Sequence, residues 1–161
     1  MNTLLTYATG AAIAFSAVAL AGWQVHAETN RVKFPENLDT LVHYTGRQRG
    51  ESVTHIKTTQ NVIDTIKAGK PVPDGAQFVL IDYRNGELYR YFAMEKGANW
   101  GADYDDTRRT GNWQFQWYWA DRTINKAENT NRCQSCHQGA SGNDFLFTHS
   151  EIQAFHGTPV N

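Results

Sequence analysis

Both cysteines of this 161-residue chain fall within five consecutive positions, Cys133-Gln134-Ser135-Cys136-His137. Two thiols three positions apart can each add to one vinyl group of a single porphyrin. A histidine directly after the second thiol then lies beneath the iron and offers it an imidazole nitrogen. The C-x-x-C-H pattern is therefore the signature of one covalently attached haem c, with Cys133 and Cys136 as attachment points and His137 as the metal ligand. Three other chemistries use parts of the pattern. A redox Cys-x-x-Cys follows a thioredoxin-like βαβ unit, and nothing before residue 133 reads as one. A plain disulfide leaves His137 without a role. A structural zinc site needs four ligands, and no second Cys/His pair is spaced near this one.

The N-terminus bears on the choice, because haem is attached outside the cytoplasm. Residues 4–21 form an uncharged, mostly apolar run, followed by Val25-His26-Ala27, an A-x-A-like stretch with a small residue at the cut. Residues 1–27 thus read as a signal peptide and residues 28–161 as a periplasmic mono-haem domain. The leader lacks Lys and Arg ahead of the run. The run is also nearly long enough to span a bilayer, so a retained anchor is the alternative. The formal net charge is −1, and residues 1–27 contribute nothing to it. A chain so close to neutral has no global electrostatic case for nucleic acid.

The motif sits near the C-terminus, with almost the whole chain ahead of it. Small electron-carrier cytochromes place it near the N-terminus and follow it with a methionine ligand. Here no methionine follows Cys136, and Met94 is the only one after residue 27.

The elements that must position the motif read as an α+β fold, mainly antiparallel β-sheet with a few short helices. Residues 38–45 (LDTLVHYT) and 52–58 (SVTHIKT) read as strands. Residues 60–68 read as a helix with Val62, Ile63 and Ile66 on one stripe and Gly69 as a left-handed cap. Residues 77–83 and 87–95 flank Arg84-Asn85-Gly86, whose Asn-Gly is a hairpin signal. Residues 97–111 form a polar loop. Residues 112–119 (NWQFQWYW) are the clearest strand, with Trp113, Phe115, Trp117 and Trp119 on one face and Gln114, Gln116 and Tyr118 on the other. Residues 126–132 lead helically into the motif, and residues 150–155 form a short final helix.

The segments KFPEN (33–37), PVPDGAQFVLI (71–81), MEKGANWGADY (94–104), GNWQFQWYW (111–119), CQSCH (133–137) and DFLFT (144–148) occur in an order that resembles the cytochrome P-460 family and its relative cytochrome c′-beta. The resemblance covers most of residues 28–161. It implies a β-rich haem domain, often a homodimer, with His137 as proximal ligand and an open distal face. Family members oxidise hydroxylamine or bind nitric oxide and carbon monoxide. The oxidising members carry a lysine joined to the haem edge, and by this register its position is Leu80. The resemblance further implies a distal acidic residue at Glu95 and an apolar wall of Val53, Phe78 and Leu80.

Other residues have two readings each. Glu95 is either a proton relay beside the iron or a carboxylate paired with Lys96. Met94 is a sixth ligand or a core side chain. His43, His55, His149 and His156 are candidate second axial ligands or satisfied side chains. Arg132, with Arg108 and Arg109 behind it, is a candidate partner for a haem propionate. Asp103, Asp105 and Asp106 carry part of a calcium-loop pattern but read as a solvated loop. Two functions follow. One is a haem protein that binds small ligands such as nitric oxide or exchanges electrons with a redox partner protein. The other is an oxidoreductase acting on hydroxylamine or a related nitrogen species. Leu80 in place of a lysine favours the first.

Overall fold

The structure is a computed structural model that describes residues 30–127 and 129–160. The leader read at 1–27 lies outside the described residues. No helix among the described residues is long and apolar enough to cross a membrane.

Five strands form one antiparallel sheet in the order β1-β2-β3-β4-β5: β1 Val42–Arg49, β2 Ser52–Thr58, β3 Gln77–Arg84, β4 Glu87–Lys96 and β5 Trp113–Trp119. Among the described residues three α-helices accompany it: α1 Gln60–Lys67, α2 Asn131–Gln138 and α3 His149–Ala154. The sheet is thus the α+β, mainly antiparallel architecture read from the sequence. Local chemistry explains its turns. Asn85 and Gly86 both adopt positive φ, at 52° and 79°, which is the two-residue turn whose twist matches flanking strands. α1 starts at Thr59, whose side chain accepts from the Val62 N–H at 3.3 Å. It ends at Gly69, with φ +68°, where the Lys70 N–H reaches back to the Thr65 carbonyl at 3.1 Å.

One boundary differs from the sequence reading. Residues 38–40 form a 3-10 turn, and β1 starts only at Val42. Leu38 and Leu41 are both buried, and their spacing of three suits a helical turn rather than the alternation of a strand.

Both faces of the sheet are covered. On one face α1, α3 and the segment after α2 pack over Phe78, Met94, Trp113 and Phe115, with Ile63 and Ile152 fully buried. On the other, the N-terminal segment lays Val32, Phe34, Leu38 and Leu41 against Val79, Ile81, Tyr91 and Tyr118. Tyr118 and Gln114, which turn to this second face, find partners there. The Tyr118 hydroxyl donates to the Val32 carbonyl at 3.0 Å, and Gln114 accepts from the Arg31 N–H at 2.8 Å. The edges are partly paired as well. The Val160 N–H donates to the Tyr44 carbonyl at 2.8 Å on the β1 edge, and the Asn125 N–H to the Trp117 carbonyl at 2.9 Å on the β5 edge.

Ile63 is wholly buried between α1 and the sheet. Replacing it with Ala removes apolar contacts and leaves a void, so Ile63→Ala should cost about 2–5 kcal/mol in urea unfolding. Asn61→Ala, on the exposed side of the same helix, should stay within about 0.5 kcal/mol.

Candidate functional site

The five-residue motif lies in α2. Cys133, Cys136 and His137 occupy positions i, i+3 and i+4, so the helix turns both thiols and the imidazole to one side. No disulfide joins the two cysteines. Cys133 and His137 line a cavity of about 280 Å³, and Cys136 is exposed.

The sheet builds the opposite wall by register. Ile56, Leu80, Phe92 and Trp117 are direct partners across β2, β3, β4 and β5, and so are Thr58, Phe78, Met94 and Phe115. Directly paired residues share a face, so both rows look the same way. Ile56, Phe78, Leu80, Phe92, Met94 and Phe115 all line the cavity. Tyr44, Leu146, Phe147 and Thr148 close its side. Tyr44 reaches it because a bulge between His43 and Thr45 inserts an extra residue into β1. Its hydroxyl is bonded to the Thr148 hydroxyl at 2.7 Å, and burial pushes its pKa well above the usual phenol value.

His137 is held at its other nitrogen. Nδ1 lies 2.7 Å from the Phe145 carbonyl oxygen, an acceptor only, so Nδ1 carries the proton and Nε2 keeps its lone pair. The ring packs between Phe115, at 4.7 Å centroid to centroid, and Phe147, at 5.1 Å. Burial holds its pKa below the usual histidine value, which keeps the imidazole neutral and able to coordinate. The Trp117 indole N–H donates to the Cys133 sulfur at 2.9 Å.

A flat, mostly apolar group with two vinyl edges fits these residues. Phe147 lines the cavity yet is 57% exposed, a large apolar surface that such a group would cover. The competing chemistries lack support in the fold. The sheet has no parallel βαβ crossover of the thioredoxin kind. Among the described residues no three His, Cys, Asp or Glu side chains gather as a metal site, so Cys133 and Cys136 have no further zinc ligands beside them.

A family model for cytochrome P460 matches residues 23–148. The chain belongs to the cytochrome P460 family. Membership implies a haem cofactor, and the cavity over α2 is where this cytochrome P460 chain has the residues to hold one. No curated protein matches the chain in sequence.

Two residues of the expected pocket lie elsewhere. Val53 pairs with Tyr83, and Glu95 with Gln77 and Gln114, all on the face away from the cavity. The wall position on β2 belongs to Ile56. Glu95 accepts from the Gln77 amide at 3.2 Å. Burial raises its pKa, against hydrogen bonds from the Lys33 backbone and Gln77. It does not pair with Lys96 either, which turns to the cavity-side face and binds Asp144. The histidines fall away too. His43 and His55 stack at 4.4 Å on the far face, and His149 and His156 lie outside the cavity lining.

Arg132 is exposed on α2 and outside the lining. Arg109 donates to the Gly101 and Tyr104 carbonyls, and Arg108 to Asn131, tying down the 97–111 loop. In that loop Asp103 is held by Arg31 and Gln114. A cation that does touch the wall is Arg90, stacked 4.5 Å over Phe92 and 4.9 Å over Trp117, with its Nε donating to Asp82 at 3.0 Å. Sequence reasoning missed Arg90, Trp117 as a thiol partner, and the Phe145 carbonyl. Only the alternation of β4 and β5 carried a signal for the first two.

The register gives a direct check. Leu80→Lys introduces an amine into the cavity and should change the visible spectrum of the bound haem. Val53→Lys, one strand away but on the other face, should leave that spectrum unchanged. The reverse pattern would put Val53, not Leu80, on the haem side of the sheet.

Proposed function

We propose that the chain is a periplasmic c-type haem protein with residues 28–161 as its mature domain. In this reading one haem is joined by thioethers to Cys133 and Cys136, and His137 is its proximal ligand. When bound, the haem would supply an iron able to take a diatomic ligand and to change between ferrous and ferric states. The chain's own residues set what that site accepts. The Phe145 carbonyl orients the imidazole. Trp117 restrains the Cys133 sulfur. Arg90, in contact with Phe92, is a cation suited to a propionate carboxylate.

One observation carries the reading of ligand type. Among the described residues, the cavity lining contains no Asp, Glu, Lys or Arg. Ile56, Phe78, Leu80 and Phe92 offer a bound molecule neither charge nor proton. Such a wall favours a small uncharged ligand such as nitric oxide or carbon monoxide. It also suits simple electron exchange with a redox partner protein. Hydroxylamine oxidation must shed protons, and the carboxylate expected to take them, Glu95, is on the far face. Leu80 stands where the oxidising members of the family carry their cross-linked lysine, and Lys96 is engaged with Asp144 and the Val72 carbonyl at 2.6 and 3.0 Å.

The expected result is a haem that stays with the denatured chain in acid-organic solvent. Cys133→Ala combined with Cys136→Ala should release it. The ferrous wild type should bind nitric oxide readily, show an ordinary c-type spectrum and turn over little hydroxylamine. Freely extractable haem would refute the attachment. A red-shifted, cross-linked spectrum with hydroxylamine turnover would refute the ligand-binding reading.

A further inference from the structure

The residues around the Phe145 carbonyl are more constrained than a surface loop requires. Asp144 and Phe145 both adopt positive φ, at 52° and 62°. Aspartate tolerates this region, but it is a poor conformation for phenylalanine. The surroundings impose it. Lys96 Nζ donates to Asp144 Oδ2 at 2.6 Å, and the Trp113 indole N–H to Oδ1 at 3.4 Å. Lys96 and Trp113 are direct partners across β4 and β5, so the sheet grips this carboxylate with one cross-strand pair. The Phe145 N–H donates to the Ala140 carbonyl at 2.9 Å. The Phe145 ring lies against Gly111, where a Cβ would come within 2.8 Å of it. The result is a backbone carbonyl fixed at 2.7 Å from His137 Nδ1.

We propose that Asp144 is a positioning residue for His137, transmitting the rigidity of the β4–β5 pair through the Phe145 carbonyl to the imidazole. This rests on the reading of His137 as the haem ligand. A firm Nδ1–H···O=C bond raises the basicity of the ligating nitrogen and fixes the plane of the ring. Releasing Asp144 lets the loop relax from its strained conformation, and the carbonyl drifts from Nδ1. The iron–histidine bond then weakens and the ferrous state gains relative to the ferric.

Three variants separate this role from simple stability. Asp144→Gly keeps the backbone freedom and removes both contacts. Asp144→Asn keeps an acceptor for Trp113 and loses the charge pair. Lys96→Met loses the charge pair from the other side and remains informative if the loop variants fail to fold. In the haem-loaded ferrous protein, the iron–histidine stretching band measured by resonance Raman should move to lower frequency and broaden. The shift should be largest in Asp144→Gly and smaller in Asp144→Asn and Lys96→Met, with the midpoint potential rising in the same order. Folded, haem-loaded variants that keep the wild-type band and potential, and differ only in melting temperature, overturn the proposal. A wild type with no iron–histidine band overturns instead the underlying assignment of His137, and the proposal with it.

Discussion

The contact on which the site depends is the hydrogen bond between His137 Nδ1 and the Phe145 carbonyl, at 2.7 Å. It decides which nitrogen keeps a lone pair and the direction in which the ring points. A motif of two thiols and a histidine on one helix supplies reactive groups in a fixed order, but a histidine free to rotate is a poor ligand. Here the ring is clamped at one nitrogen and flanked by Phe115 and Phe147. The clamp relies on a strained loop, the loop on Asp144, and Asp144 on a lysine and a tryptophan facing each other in the sheet. A chain of short-range contacts thus connects the antiparallel sheet to an imidazole on a helix that follows it in sequence.

The sheet makes a second contribution through parity. Two rows of directly paired side chains, one through Leu80 and one through Phe78, give the cavity an apolar wall. A low-polarity wall makes any charge inside expensive and leaves uncharged molecules unaffected. Among the described residues the lining has no Asp, Glu, Lys or Arg. Two acidic residues of the neighbouring strands are paired elsewhere: Asp82 with Arg84 and Arg90, and Glu95 with Gln77.

Local features of the fold were legible because local chemistry determines them. Asn85-Gly86 needs no tertiary contact to prefer its turn, and the stripe of Val62, Ile63 and Ile66 needs only the helical period. The grouping of Cys133, Cys136 and His137 was legible for the same reason, since their spacing puts two thiols and an imidazole on one side of a helix. The face of each strand was harder to read. β3 has Phe78 and Leu80 on one side and Val79 and Ile81 on the other, all apolar, because both faces of the sheet are covered. No alternation marks the cavity side. The family resemblance places Phe78, Leu80, Val53 and Glu95 together, but Val53 and Glu95 lie on the other face. The bulge that swings Tyr44 inward and the left-handed pair Asp144-Phe145 have no such periodic signature. They follow from packing that only the folded chain displays.

The central claim is that a haem iron sits between His137 and the apolar row of Ile56, Leu80 and Phe92, without a second protein ligand. Locating the iron by anomalous scattering in crystals of the purified protein tests this most directly. The account predicts a single iron bonded to His137 Nε2, with thioether density to both Cys133 and Cys136 and only solvent or a small molecule on the opposite side. An iron ligated by Met94 or by a second histidine, or one lying on the His43-His55 face of the sheet, would contradict it.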